Sequence, residues 1–329
     1  NYVAGIAFDA LGRLYVSDSN NQRVQIFDLD INGNPVWVKT LGVTGETGSD
    51  NLHFNSPQRL AVANGQLFIA DSQNHRIQVY TVSGADPASI SYLDTIGVSG
   101  VPGQDNQHFD NPFGVAANAA YIFVSELNTN RVQVFNAVDR QYVTTAVTGG
   151  TNPGSIWVPS DIALDAAGNL YIADSYNHRV QFFTKGSGAT WAYTRITGTS
   201  NVPYLTDANH FNKPRVAVDV YDNLVVLEEN GQRLSKFDVN GNLVFHIGTP
   251  GIERDPNRGT EDDFHFSWPH DVATGSGGTI YVADNNRVQI YTAAGAFVNT
   301  IGGSWGNGDY QFQWAAGIAV DRNNGTIYV

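Results

Sequence analysis

The sequence predicts an all-β fold built from repeated four-stranded modules, and three observations predict it. The unit LYVSDSNNQRVQIF at Leu14 to Phe27 returns as LFIADSQNHRIQVY at Leu67 to Tyr80 and as LYIADSYNHRVQFF at Leu170 to Phe183. An acid follows the same strand of each module, at Asp18, Asp71, Glu126, Asp174, Glu228 and Asp284, in steps of 53, 55, 48, 54 and 56 residues. A step of that length fits about four short strands, as in a propeller blade. No capped segment of helical period interrupts the series.

Each module reads the same way. Strand a is a short apolar run, as at Gly5 to Phe8, Leu60 to Val62 and Ile162 to Leu164. A tight turn such as DAAGN at Asp165 to Asn169 follows. Its Gly tolerates positive φ and its Asp can bond the turn's own backbone. Strand b is the LYV or LYI run that the acid closes. Strand c alternates, as in Val132-Gln133-Val134-Phe135, the pattern of a half-buried strand. Strand d ends in Gly, after which long links run from Gly42 to Ser56, Gly97 to Asn111, Gly198 to Lys213 and Gly248 to Trp268. Several close on a His-Phe pair, at His53, His108, His210 and His265. Links this long more often carry function than merely connect.

Phe-Asn-x-Pro before strand a, Leu-Tyr-Val/Ile-Ala-Asp in strand b and Asn-His-Arg-Val/Ile-Gln before strand c resemble the NHL-repeat family of β-propellers. Residues 54–80, 109–135 and 158–183 carry the pattern best, and LVVLEENGQR at Leu224 to Arg233 departs from it most. The resemblance implies an all-β β-propeller of NHL type over residues 1–329 as a single domain, and it is a poor guide to function. Six modules have all four strands; a seventh has strands a and b only. NHL rings typically have six blades, yet seven inner strands cannot all line a six-bladed channel: either the ring has seven blades and lacks part of the last, or it has six and the chain runs on, with seven slightly favoured. The partial last module, the start at Asn1 and the lack of any Met read as a piece of a longer protein.

The composition excludes several chemistries. A net charge of −13 opposes nucleic acid and anionic membranes, so neither nucleic-acid binding nor membrane insertion is expected. Without Cys there is no disulfide, thiolate nucleophile or Cys-ligated metal. Scarce Lys beside abundant Asn, Thr, Ser and Gly reads as a secreted or cell-surface protein. No nucleophile elbow, phosphate loop or dinucleotide fingerprint occurs.

The recurrent acid and the Arg beyond it form a hairpin brace: Asp18 with Arg23, Asp71 with Arg76, Glu126 with Arg131, Asp174 with Arg179, Glu228 with Arg233, and Asp284 with Arg287 across a shorter turn. A group present six times is structural, and the planar, many-donor Arg suits the task. The pairs Asp50/His53, Asp105/His108, Asp207/His210 and Asp262/His265 read as loop braces at the module junctions. The column at the start of strand a breaks the repeat. It reads Gly5, Arg59, Gly114, Asp161, Arg215, Asp271 and Gly317, where the resemblance leads one to expect Gly. In a propeller these residues ring the channel mouth, so Arg59, Asp161, Arg215 and Asp271, with His270 alongside, are the candidate ligand site. Arg supplies donors there and Asp acceptors.

No compact histidine spacing marks a metal site, and no cofactor is expected. Calcium is the one ion an acidic chain would suit, with Glu261-Asp262-Asp263 as its candidate loop. Asn324 opens a lone glycan acceptor triplet. Among the link aromatics, Trp157, Trp268 and Trp314 are expected to pack between blades, while Trp305, between glycines, is the expected exposed contact. The reading is a non-enzymatic binding or scaffold module presenting long loops to a protein partner or small polar ligand, with self-assembly open to the same loops. The alternative is a metal-assisted hydrolase or lyase at the channel mouth.

Overall fold

The computed structural model describes residues 3–30, 34–198, 211–248, 265–306, 311–312, 314–321 and 325–329. The chain forms two compact units. The first comprises residues 1–159 with 186–190, the second residues 160–185 with 191–329. Glu261-Asp262-Asp263, Asp207, His210 and Asn324 lie outside the described residues.

The first unit contains three meanders: β1 to β4 (Val3–Phe8, Leu14–Asp18, Arg23–Leu29, Pro35–Leu41), β5 to β8 (Pro57–Ala63, Gln66–Asp71, Arg76–Thr81, Ser91–Ile96) and β9 to β12 (Pro112–Ala117, Tyr121–Glu126, Arg131–Asn136, Tyr142–Gly149). A two-residue strand β13 (Ser155–Ile156) runs parallel to β12. The second unit contains β14 to β17 (Pro159–Leu164, Leu170–Asp174, Arg179–Lys185, Trp191–Thr197), β18 to β21 (Pro214–Val218, Leu224–Glu228, Arg233–Phe237, Leu243–Ile247) and β22 to β25 (Pro269–Thr274, Ile280–Asp284, Arg287–Tyr291, Phe297–Gly302). The strands β26 (Ala319–Val320) and β27 (Ile327–Tyr328) pair alone.

The architecture is thus an all-β propeller with six four-stranded blades among the described residues, where helix is confined to 3-10 turns such as Ser19–Asn21 and Ser72–Asn74. A seventh blade is not shown: among the described residues the last module supplies one two-stranded hairpin.

Each b–c hairpin closes in the register its sequence dictates, the acid opposite the Arg, as Asp18↔Arg23 and Asp174↔Arg179. The turn passes through a left-handed residue, Gln22, His75 or His178 at φ 56–57°. Strand b is buried throughout, as Leu170–Asp174 shows, because it lies between neighbouring sheets; strand d is largely exposed, as Leu243–Ile247 shows. The cores therefore sit between blades. Tyr15, Val24 and Ile26 of the first blade pack with Phe54, Leu67 and Ile69 of the second. Val225 and Leu227 of the fifth pack with Phe266, Val272 and Val282 of the sixth. Ala283 and Val288 of the sixth pack with Ala315 and Ile318 of the last module. The link residue before strand a supplies the knob: Phe54, Phe109, Phe211 and Phe266 are at most 1% exposed. Among the described residues no helix is long and apolar enough to cross a membrane.

Candidate functional site

The six acid–Arg pairs are all present, with N–O distances from 2.5 to 2.8 Å. Arg76 shows what the pair does. Its Nε donates to Asp71 at 2.8 Å, and its other nitrogens reach the Ser49, Asp50 and His53 carbonyls at 2.6, 2.7 and 2.9 Å. Asp71 accepts from the Asn55 N–H at 2.7 Å. The pair therefore staples the preceding link onto its own hairpin, a bracing role rather than a catalytic one. His53 and His108 each bond an acid three residues back, Asp50 and Asp105, at 2.7 Å. Asp50 is held below the usual carboxylate range, first by the His53 hydrogen bond and then by the Leu52 N–H.

The strand-a column divides by unit. Arg59 is the third residue of β5 in the first unit and is half-buried, its Cα 3.0 Å from where a Cβ on Gly5 would stand. That close approach explains why Gly suits position 5. The second unit holds the other charges. Asp161 is 8% exposed and Asp271 6% exposed. Each carboxylate accepts a backbone N–H from the next strand a, Asp161 from Val216 at 3.1 Å and Asp271 from Ile318 at 3.2 Å. Both acids thus latch consecutive blades. Arg215 points elsewhere: its Nη1 donates to the Ser160 carbonyl at 2.9 Å and its Nη2 lies 3.9 Å from Glu229.

Glu229 is the centre of a charge cluster. Its carboxylate lies 3.7 Å from the Lys213 ammonium, 3.9 Å from Arg215 and 3.8 Å from His270 Nδ1. These separations are attractive but too long for direct hydrogen bonds. His270 stacks on Trp314, ring centroids 5.0 Å apart at 37°. Burial lowers the pKa of His270, and Arg215 and Lys213 push the same way against Glu229 and Asp271. The imidazole is therefore neutral at neutral pH. Its buried Nε2 has no hydrogen-bond partner among the described residues.

Trp314 is 48% exposed, Trp157 45% and Trp268 43%, so the expectation that they pack as core is corrected. The buried place belongs to Ile156 and Phe266, one or two residues earlier, and the indoles fall beyond it toward solvent. Trp305 is 59% exposed. Glu229 and Lys213 were not among the sequence candidates, yet each breaks a column. Glu229 stands where Ser19, Ser72 and Ser175 follow the hairpin acid, and Lys213 stands where Ser56 and Asn111 precede the Pro of strand a. Among the described residues no group of three or more His, Cys, Asp or Glu side chains could hold a metal ion.

Comparison with known proteins adds the following. The family pattern described as NHL repeat matches residues 1–27, 54–80, 157–183 and 266–291. Residues 109–135 are not among the matched stretches; there Glu126 and Thr129 replace the Asp and Asn of the other copies. A probable peptidyl-α-hydroxyglycine α-amidating lyase of Caenorhabditis elegans is 29% identical over 191 residues, 55% of this chain and 52% of that protein. The chain thus spans about half the length of that relative. Virginiamycin B lyase from Staphylococcus aureus superposes with a TM-score of 0.62 at 17% identity, over 97% of this chain and 89% of its own. Hydrazine synthase of Kuenenia stuttgartiensis gives 0.66 at 13% identity, over 99% and 95%. At these identities the two structures speak to the fold alone.

Proposed function

From an NHL-repeat β-propeller as premise, we propose that this protein is a binding module that recognises a small polar ligand or peptide end at Lys213, Arg215, Glu229, His270 and Trp314. The observation that carries the reading is the spacing around Glu229. Two cations and a neutral imidazole surround one carboxylate at 3.7–3.9 Å, and none of these contacts is closed to hydrogen-bond length. A ligand bearing both an acid and an amine, such as a peptide terminus, can enter such a cluster and satisfy both signs. Trp314, half-exposed on His270, offers an apolar face beside the charges.

The test is equilibrium binding of a library of short unmodified peptides to the wild type and to Trp314→Ala and Glu229→Gln. Binding that weakens about tenfold in both variants supports the reading. A library with no binder, or binders indifferent to both changes, rejects it.

One observation favours lyase chemistry as a second reading. A neutral, half-buried histidine with an unpartnered Nε2 is suited to accept a proton, and the Caenorhabditis elegans relative is named as a lyase. Under that reading the protein turns over a peptidyl-α-hydroxyglycine, His270→Ala abolishes turnover, and the rate rises with pH through the imidazole titration. Binding without turnover decides for the module.

A further inference from the structure

We infer that the first unit carries a second, separate ligand site, a cleft for a neutral saccharide between the outer strands of its second and third blades. The cleft has a volume of about 510 Å³, within the range of small-molecule sites. Its polar lining includes Asp94, Asn106, Gln107, Arg140, Gln141 and Tyr142.

The preceding blade supplies a comparison. Asp94 pairs with Val79 in the register in which Lys39 pairs with Ile26 one blade earlier. Tyr142 opposes Phe135 as Tyr92 opposes Tyr80, which makes Arg140 the counterpart of Ile90. At the earlier junction the Lys39 ammonium crosses to the Ile90 carbonyl at 2.5 Å. At this junction that strut is replaced by an Asp94–Arg140 pair at 2.7 Å, held to one side by the Val138 carbonyl at 2.8 Å from Arg140. Two more columns change in the same direction: Gln107 stands where the other link has Leu52, and Gln141 where the other strand has Ser91. Four positions at one junction have thus exchanged an apolar side chain, a strut or a small hydroxyl for groups that can bond a ligand. Relative to the preceding junction this one is the more polar, and the added groups line the cleft. Arg140 holds φ at +63° in the turn position that Gly241 and Gly295 occupy in later blades, and its guanidinium is held by Asp94 at 2.7 Å.

The chemistry of the lining selects the ligand class. Arg140 and Asp94 cancel each other, so the wall attracts neither anions nor cations strongly. Asn106, Gln107 and Gln141 are exposed, and each side-chain amide offers two donors and an acceptor side by side. Adjacent hydroxyls of a sugar ring, each donor and acceptor at once, match such groups. Half-buried Tyr142, packed edge-on to Phe135 at 5.9 Å, gives an aromatic surface for the C–H face of the ring.

The probe is a panel of soluble neutral disaccharides and trisaccharides of glucose, galactose, mannose and N-acetylglucosamine, read by saturation-transfer NMR and calorimetry on the whole chain. At least one binds the wild type. The double variant Asn106→Ala/Gln107→Ala weakens it about tenfold or more. Both positions are exposed, so a normal melting curve accompanies the loss. The variant Trp314→Ala leaves saccharide affinity unchanged, which keeps this site distinct from the Glu229 cluster. A panel without a binder, a binder indifferent to the double variant, or binding of charged sugars or peptides alone at this cleft overturns the inference.

Discussion

At the scale of the residue, the braces and the buried acids set the behaviour. Arg76 is fully buried and bonds an acid and several carbonyls at once. Arg76→Ala leaves Asp71 buried and uncompensated, and should cost about 3–5 kcal/mol by denaturant unfolding. Arg76→Lys should recover little of it, since one ammonium cannot reach the same acceptors. Burial raises the pKa of Asp71 and Glu126 as well as that of Glu228, and Glu228 lacks a donor the other two have. Asn21, Asn74 and Asn177 donate to their acids at 2.8–3.0 Å, but the matching residue beside Glu228 is Gly231. With that donor missing, burial outweighs Arg233 and lifts the Glu228 pKa from 4.5 to about 7. An acid raised on folding adds stability that is complete below its unfolded pKa and is lost as pH rises through the folded one. Melting curves from pH 4.5 to 8 should therefore show Glu228→Gln flattening the decline that the wild type shows toward about pH 7. Parallel curves for the two proteins would show that Glu228 is already ionised throughout.

At the scale of the element, the start of each link decides whether a blade can close onto the next. Gly97 has φ +95°, and a Cβ there would lie 2.7 Å from the Phe109 ring and 3.0 Å from the His75 carbonyl. Gly100, three residues on, has φ +74° but nothing within 4 Å. Gly97→Ala should cost roughly 2–3 kcal/mol, since strain and crowding add. Gly100→Ala should cost only about 1 kcal/mol, from strain alone. Equal losses for the two substitutions would mean that the Phe109 contact yields freely.

At the scale of the whole molecule, each unit is a row of sheets whose cores lie between neighbours, as in other repeat folds. The last sheet of such a row needs a cap. Ala315 and Ile318 serve the sixth blade in that role, and Ile318 also supplies the N–H that Asp271 accepts. Removing residues 304–329 should lower the melting temperature by roughly 5 °C or more and raise binding of a hydrophobic dye. An unchanged melt would show that the two-stranded hairpin adds nothing to the sixth blade.

The sequence by itself determined the blades. Strand alternation, the Asp and Gly of the turns and the acid–Arg pairing at Asp18/Arg23 or Asp174/Arg179 are encoded within about fifteen residues, the range over which turn chemistry and side-chain period act. It also marked Asp161, Arg215 and Asp271 as departures from the repeat. Only the tertiary structure decided what those departures do. Whether Asp161 faces a ligand or latches Val216, whether Trp314 is buried or exposed on His270, and whether Glu229 gathers Lys213, Arg215 and His270 depend on how one sheet stacks on the next. That stacking is fixed by packing between side chains some fifty residues apart, which no local pattern carries.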